Sequence, residues 1–157
     1  MYQKILVPLD GSDLAECTLL HVETLVKRGF AGEVVLLNIV KFDIPWAKMY
    51  EHRHDHKINV DIEKLRKQLL NESRKYLAKA ATKLRSKEIN VKTKALEANR
   101  PARTIIDYAQ KNKIDLIVMA THGQTGIEKV LLGSVAFGVL HESHVPVLLI
   151  RPESCRM

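Results

Sequence analysis

The 157-residue chain predicts an α/β fold: an open, five-stranded parallel sheet with helices on both faces. Three observations predict it. Short runs that are apolar at almost every position recur along the chain. A strand of that kind has no face to turn to water and belongs in a parallel sheet covered on both sides. Between the runs lie longer stretches with apolar residues at helical spacing. The two kinds alternate as βαβαβαβαβ, without internal repeat or low-complexity segment, as right-handed crossovers within one domain, 1–157, require.

The first strand is KILVPL, residues 4–9. An amphipathic stretch follows, with Leu14, Cys17, Thr18, Val22 and Leu25 at helical spacing. Ser12 is placed to cap its start and Gly29 to close it. EVVLLNIV, 33–40, is a second strand, too apolar to have a wet face. Residues 42–60 read as irregular, with Pro45 as a breaker. A long helix spans 61–86 along the stripe Ile62, Leu65, Leu69, Tyr76, Leu77, Ala80 and Leu84. NVKTKALEA, 90–98, alternates weakly as a third strand. RPARTIIDYAQKN is a helix with Pro101 near its first position, where the missing N–H costs nothing. DLIVMA, 115–120, is the fourth strand, 134–143 the last helix, and VPVLLIRP, 145–152, the fifth strand.

Charge and cysteine content narrow the function classes. The formal net charge is +7, and between Lys64 and Lys94 there are eleven Lys/Arg against two acids. That stretch has one aromatic, Tyr76, and no recognition motif, so it reads as a solvated basic face rather than a nucleic-acid surface. No run approaches the roughly 20 apolar residues that span a bilayer. The N-terminal apolar stretch is a strand and not a signal peptide. Cys17 and Cys155 suit a reducing compartment better than a disulfide scaffold, with Cys17 in the core and Cys155 exposed. A cytoplasmic protein with no membrane partner is expected.

In an open parallel sheet, ligands bind outside the carboxyl ends of the strands, near the switch in strand order. That points to the loops after Leu9, Val40 and Met119. The last is ATHGQTGIEKVLLGS, 120–134, with three of the chain's seven glycines. A loop entering a helix offers unpaired N–H groups and the positive end of the helix dipole. Gly123 can turn this loop. Gly133 stands at the helix entrance with no side chain to hold an anion away, and Ser134 adds an N–H and a hydroxyl. With Val135 these residues would surround phosphates; a glycine-punctuated turn with a helix cap is the alternative. His122 can approach a phosphate or bond the loop backbone. In VPLDGS, Asp10 can accept hydrogen bonds from ribose hydroxyls or an adenine amine, or cap the following helix.

KILVPLDGS, ATHGQTGIEKVLLGS and the closing SHVPVLLIRP resemble the universal stress protein family, over nearly the full length. The family's nucleotide-binding members carry Gly-x2-Gly-x9-Gly-Ser/Thr. This chain has Ala120-x2-Gly123-x9-Gly133-Ser134, with alanine at the first position. The family's Gly-x-Pro after the third strand is Asn99-Arg100-Pro101 here, where asparagine tolerates a left-handed backbone and Arg100 can face the phosphates. The resemblance implies a Rossmann-like sheet of order 3-2-1-4-5, similar to the adenine nucleotide alpha hydrolases. It implies ATP as ligand, with Mg²⁺ held mainly by the phosphates. Pro8, Leu9, Asp10 and Ile39 would lie beside adenine and ribose, and Met119 and Ala120 at the end of the fourth strand. Gly123, Gly133, Ser134 and Val135 would lie at the ribose and phosphates, with His122 a candidate from its place in the same loop rather than from the resemblance. A homodimer joined through the last strand, from Val145 to Arg151, is also implied; that strand otherwise leaves an apolar edge unpaired. The implied role is a nucleotide-dependent stress or signalling regulator, read by a protein partner the sequence does not name. A dimeric member that binds no nucleotide is the alternative.

The remaining clusters point less far. His52 and His56 in EHRHDH are four apart and would share a helix face with Asp55 or Glu51 nearby, but a charge-rich run of this kind reads as an exposed lid. There is no Walker or kinase signature and no identifiable base for Ser134. No catalytic residue and no metal ligand is assigned, and slow ATP hydrolysis is the most that is expected.

Overall fold

The computed structural model describes residues 1–42, 56–121 and 132–151, the side chains of 56–61 excepted. In chain order the elements are β1 (Tyr2–Pro8), α1 (Asp13–Lys27), β2 (Ala31–Val40), α2 (His56–Arg85), β3 (Asn90–Glu97), α3 (Pro101–Lys111), β4 (Leu116–Ala120), α4 (Ser134–Glu142) and β5 (Val147–Ile150). The strands form one sheet of order β3-β2-β1-β4-β5, every neighbouring pair parallel. This is the open five-stranded arrangement expected from the sequence.

Side chains alternate across a strand, so adjacent apolar residues serve opposite faces. Ile5 and Val7 of β1, with Val34 and Leu36 of β2, pack against α1 and α2 through Ala15, Val22, Leu77 and Leu84. Leu6 and Val35, with Ile117 and Met119 of β4, pack on the other face against Ile105, Ala109, Ala136 and Val139 of α3 and α4. Ile5, Leu6 and Val7 have no exposed surface, which is why the central strand tolerates no polar residue there. At the amino end of the sheet, Asp115 accepts from the N–H groups of Gln3 (2.7 Å) and Lys4 (3.0 Å). Glu33 there bridges Lys4 and Lys92 across three strands.

Several expectations change. The long helix starts at His56 rather than 61, and no glycine or proline between them opposes the extra turn. β5 is shorter than expected: Pro146 has no N–H for the ladder and contributes only its carbonyl, which accepts from Ile117. Asn99 does not take the left-handed conformation; among the described non-glycine residues only Glu88 and Lys113 have positive φ. The chain enters α3 instead through Arg100, at φ −120°, and Pro101.

Four basic residues of the stretch pair with acids from other elements. Lys83 pairs with Glu16, Lys87 with Glu23, Lys92 with Glu33, and Arg66 with Glu97. Cys17 lies in the core as expected but is disulfide-bonded, against the expectation of free thiols. The one other cysteine of the sequence, Cys155, lies outside the described residues. No helix among the described residues is long and apolar enough to cross a membrane.

Candidate functional site

A cleft of about 630 Å³ opens at the carboxyl ends of β1, β2 and β4, where the strand order reverses. Its volume lies within the usual range for small-molecule sites. Nine of the eleven residues singled out from the sequence line it: Pro8, Leu9, Asp10, Ile39, Met119, Ala120, Gly133, Ser134 and Val135. The other two, His122 and Gly123, lie outside the described residues. Pro101 also lines the cleft, whereas Arg100 does not.

The β1 side is built from side chains. Leu9 donates its N–H to the Leu37 carbonyl at 2.8 Å, and Gly11 takes φ +87° to turn the chain toward α1. The Ser12 hydroxyl accepts from the Ala15 N–H at 3.1 Å and is the helix cap. Asp10 Oδ1 accepts from the Ser12 N–H at 3.0 Å and the Ser12 hydroxyl at 2.6 Å. Asp10 therefore holds the capping residue and does not cap the helix itself. Behind this turn stands Tyr76 of α2, its hydroxyl enclosed and without a hydrogen-bond partner. Burial first, and then the charges of Glu16 and Asp10, push the Tyr76 phenol up to about 12.

The β4 side is built from backbone. Met119 and Ala120 are buried at the strand end. The next residue, Thr121, donates its N–H to the Ile150 carbonyl and accepts from the Gly133 N–H at 2.7 Å. Gly133 is the N-cap of α4, with φ −68° and no side-chain cap bond. Its usefulness at this position is the missing side chain and not a left-handed backbone. The N–H groups of Ser134 and Val135 fall in the first turn, which no intrahelical carbonyl reaches. Close helix packing seats this end: a Cβ on Gly138 would come within 2.8 Å of the Ala102 Cβ on α3.

The β2 side holds what the sequence reading missed. Asn38 lines the cleft between Leu37 and Ile39, and donates from Nδ2 to the Leu9 carbonyl at 2.7 Å. Ser73 of α2 donates to Asn38 Oδ1 at 2.5 Å. The available signal was a single polar residue within the run VVLLNIV. Lys41 joins Asp10 as the second charged side chain among the described lining residues. The cleft thus offers apolar walls, a carboxylate on one side and an uncapped helix N-terminus on the other. Such a set suits a flat heteroaromatic ligand with hydroxyl groups and an anionic tail. Among the described residues no group of three or more His, Cys, Asp or Glu could hold a metal ion. His52 and His54 lie outside the described residues, and of His56 only the helical backbone is described.

Comparison with known proteins adds relatives over the whole fold. The profile of the universal stress protein family matches residues 1–151. Universal stress protein MJ0531 of Methanocaldococcus jannaschii is 33% identical over 156 residues, covering 96% of this chain and 83% of that protein. Universal stress protein MJ0577 of the same organism is 30% identical over 157 residues, covering 96% of each. The solved structure of MJ0577 matches with a TM-score of 0.78 at 28% identity, over 96% of both chains. Two more distant solved structures are universal stress proteins in complex with nucleotides. One, with cAMP, is 20% identical with a TM-score of 0.59 over 96% of this chain and 97% of that one. The other, from Archaeoglobus fulgidus with dAMP, is 21% identical with a TM-score of 0.55 over 95% and 98%.

Proposed function

This chain belongs to the universal stress protein family, and we propose that it binds ATP in the cleft at the carboxyl ends of β1, β2 and β4 and acts as a nucleotide-dependent regulator. One observation carries the reading: a single cleft combines apolar walls, the Asp10 carboxylate and the uncapped start of α4. Ile39 and Met119 take the adenine, with Pro8 and Leu9 at its edge. Asp10 accepts from the ribose hydroxyls. The N–H groups of Ser134 and Val135 face the phosphates, Gly133 and Ala120 leave room for them, and His122 and Gly123 complete the loop. Mg²⁺ travels on the phosphates. The cAMP and dAMP complexes of related folds support an adenine nucleotide as the ligand class. Regulation follows if a protein partner in the cytoplasm distinguishes the bound from the empty form, which requires differential affinity for the two.

Mass spectrometry of small molecules released from gently purified protein, followed by calorimetric titration with ATP, ADP, AMP and adenosine, tests this. We expect an adenine nucleotide in the released fraction and the tightest binding for ATP. Absence of both sinks the reading. It would favour a dimeric member that binds no nucleotide, for which Ala120 is the favouring observation, since its methyl group lines the cleft where the family has glycine.

In either case we propose a homodimer through the segment from Val145 to Arg151. β5 is a sheet edge, and Leu148 on it and Phe137 and Leu140 on α4 are exposed apolar residues. Sedimentation should give a dimer for the wild type and a monomer for Leu148→Glu.

A further inference from the structure

We propose that Asn38 and Ser73 are positioning residues for the nucleoside end of the cleft, a relay from α2 that fixes the Leu9–Asp10 peptide and with it the Asp10 carboxylate. The proposal rests on reading the cleft as a nucleotide site. β1 pairs with β2 only as far as Pro8 opposite Leu37. Beyond that point the parallel ladder no longer orients the Leu9 carbonyl. Asn38 does so from the neighbouring strand, at 2.7 Å. Leu9 is then held on both sides, its N–H by the Leu37 carbonyl and its own carbonyl by the Asn38 amide. The plane of the Leu9–Asp10 peptide sets the direction in which the Asp10 side chain leaves the backbone.

Each link has one possible direction. The Leu9 carbonyl can only accept, so the NH₂ of Asn38 must face it. The Asn38 oxygen then faces Ser73, whose hydroxyl must donate. Ser73 is 7% exposed and Asn38 partly buried, so water competes weakly for these bonds. The relay continues past Asp10, which accepts from Ser12, and Ser12 in turn accepts from Ala15. One turn further along α2, Tyr76 stands behind the same loop, so the helix backs it at two successive positions.

A merely structural polar pair would lower global stability and leave the cleft's selectivity alone. A positioning relay acts at the nucleoside end and on the loop itself. Titration of Ser73→Ala, Asn38→Asp and Ser73→Thr with adenosine and with ATP separates the two. We expect the first two variants to lose affinity for adenosine and ATP by the same factor, about tenfold for an orphaned buried partner. Ser73→Thr should restore both. Amide hydrogen exchange in the ligand-free protein is the second readout. In Ser73→Ala the Ser12 and Ala15 amides should exchange faster while those of Leu6 and Ile117 keep their protection. Unchanged exchange at Ser12 and Ala15 overturns the relay, and so does a loss confined to ATP. If the wild type binds neither adenosine nor ATP, the nucleotide reading falls and the nucleoside part of this proposal with it. The exchange measurement still decides whether the relay holds the loop.

Discussion

Of the helices that begin at the carboxyl edge of this sheet, α1 and α4 begin differently. α1 is entered through a side-chain network: Ser12 caps it, Asp10 holds Ser12, and Asn38 holds the peptide before Asp10. α4 is entered through Gly133, which offers no side-chain cap and whose own N–H is used by Thr121. Both ends carry the same positive dipole. At α1 one of the first-turn donors is consumed internally, and Asp13 and Glu16 already supply negative charge. At α4 the first turn has no acidic residue and no side-chain cap. The difference teaches which end is scaffold and which is available to an anion, although both lie on one cleft.

The largest effect should come from closing the open end. Gly133→Glu places a carboxylate where the phosphates are proposed to sit, and like-charge contact in such a site costs several kcal/mol. ATP affinity should fall by about 100-fold or more, read by calorimetry. The fold should persist, because an acid near a helix start is compatible with its dipole. Retained ATP affinity in this variant would break the comparison outright.

A reciprocal pair of serines sharpens it. Ser12→Ala removes a working cap and should cost about 1 kcal/mol, seen as a fall in melting temperature of roughly 2–4 °C for a chain of this size. Ser134→Ala touches an exposed hydroxyl and should stay within about 0.5 kcal/mol of wild type. Its effect should appear as weaker ATP binding. The two variants should thus exchange rank between the melting experiment and the titration.

The parts of this design that the sequence made legible are local. Continuous apolar runs announce strands buried on two faces, and β1, β2 and β4 are such strands. Ser12 and Gly133 announce themselves because cap and turn chemistry depends on neighbours a few residues away. Asn38 was not legible in this way. Its partners Leu9 and Ser73 are 29 and 35 residues distant, and only the packing of α2 across the sheet brings them together. The ion pairs of the basic stretch were hidden for the same reason, since Glu16, Glu23 and Glu33, which pair with three of its lysines, sit on other elements. Cys17 reads as an ordinary core residue, and its burial in the cluster under α1 and α2 agrees with that, whereas its disulfide is not written in its neighbours.

The smallest predicted effect concerns what stands behind each helix entrance. Behind α1 is Tyr76, enclosed beside Gly11 and held neutral, its pKa pushed up to about 12 against about 10 in an unfolded chain. The folded state therefore keeps its proton where the unfolded state loses it. The resulting stabilisation is fully present below pH 10 and is lost as pH rises from 10 through 12. Tyr76→Phe removes both that dependence and an unpartnered hydroxyl. At pH 7 the variant should stay within about 0.5 kcal/mol of wild type. An advantage over wild type should open between pH 10 and 12, measured as the separation of the two urea midpoints. Titration of the other tyrosines and lysines is common to both proteins and cancels in that difference. Parallel profiles would mean that the phenol reaches solvent and that Tyr76 does not back α1 tightly.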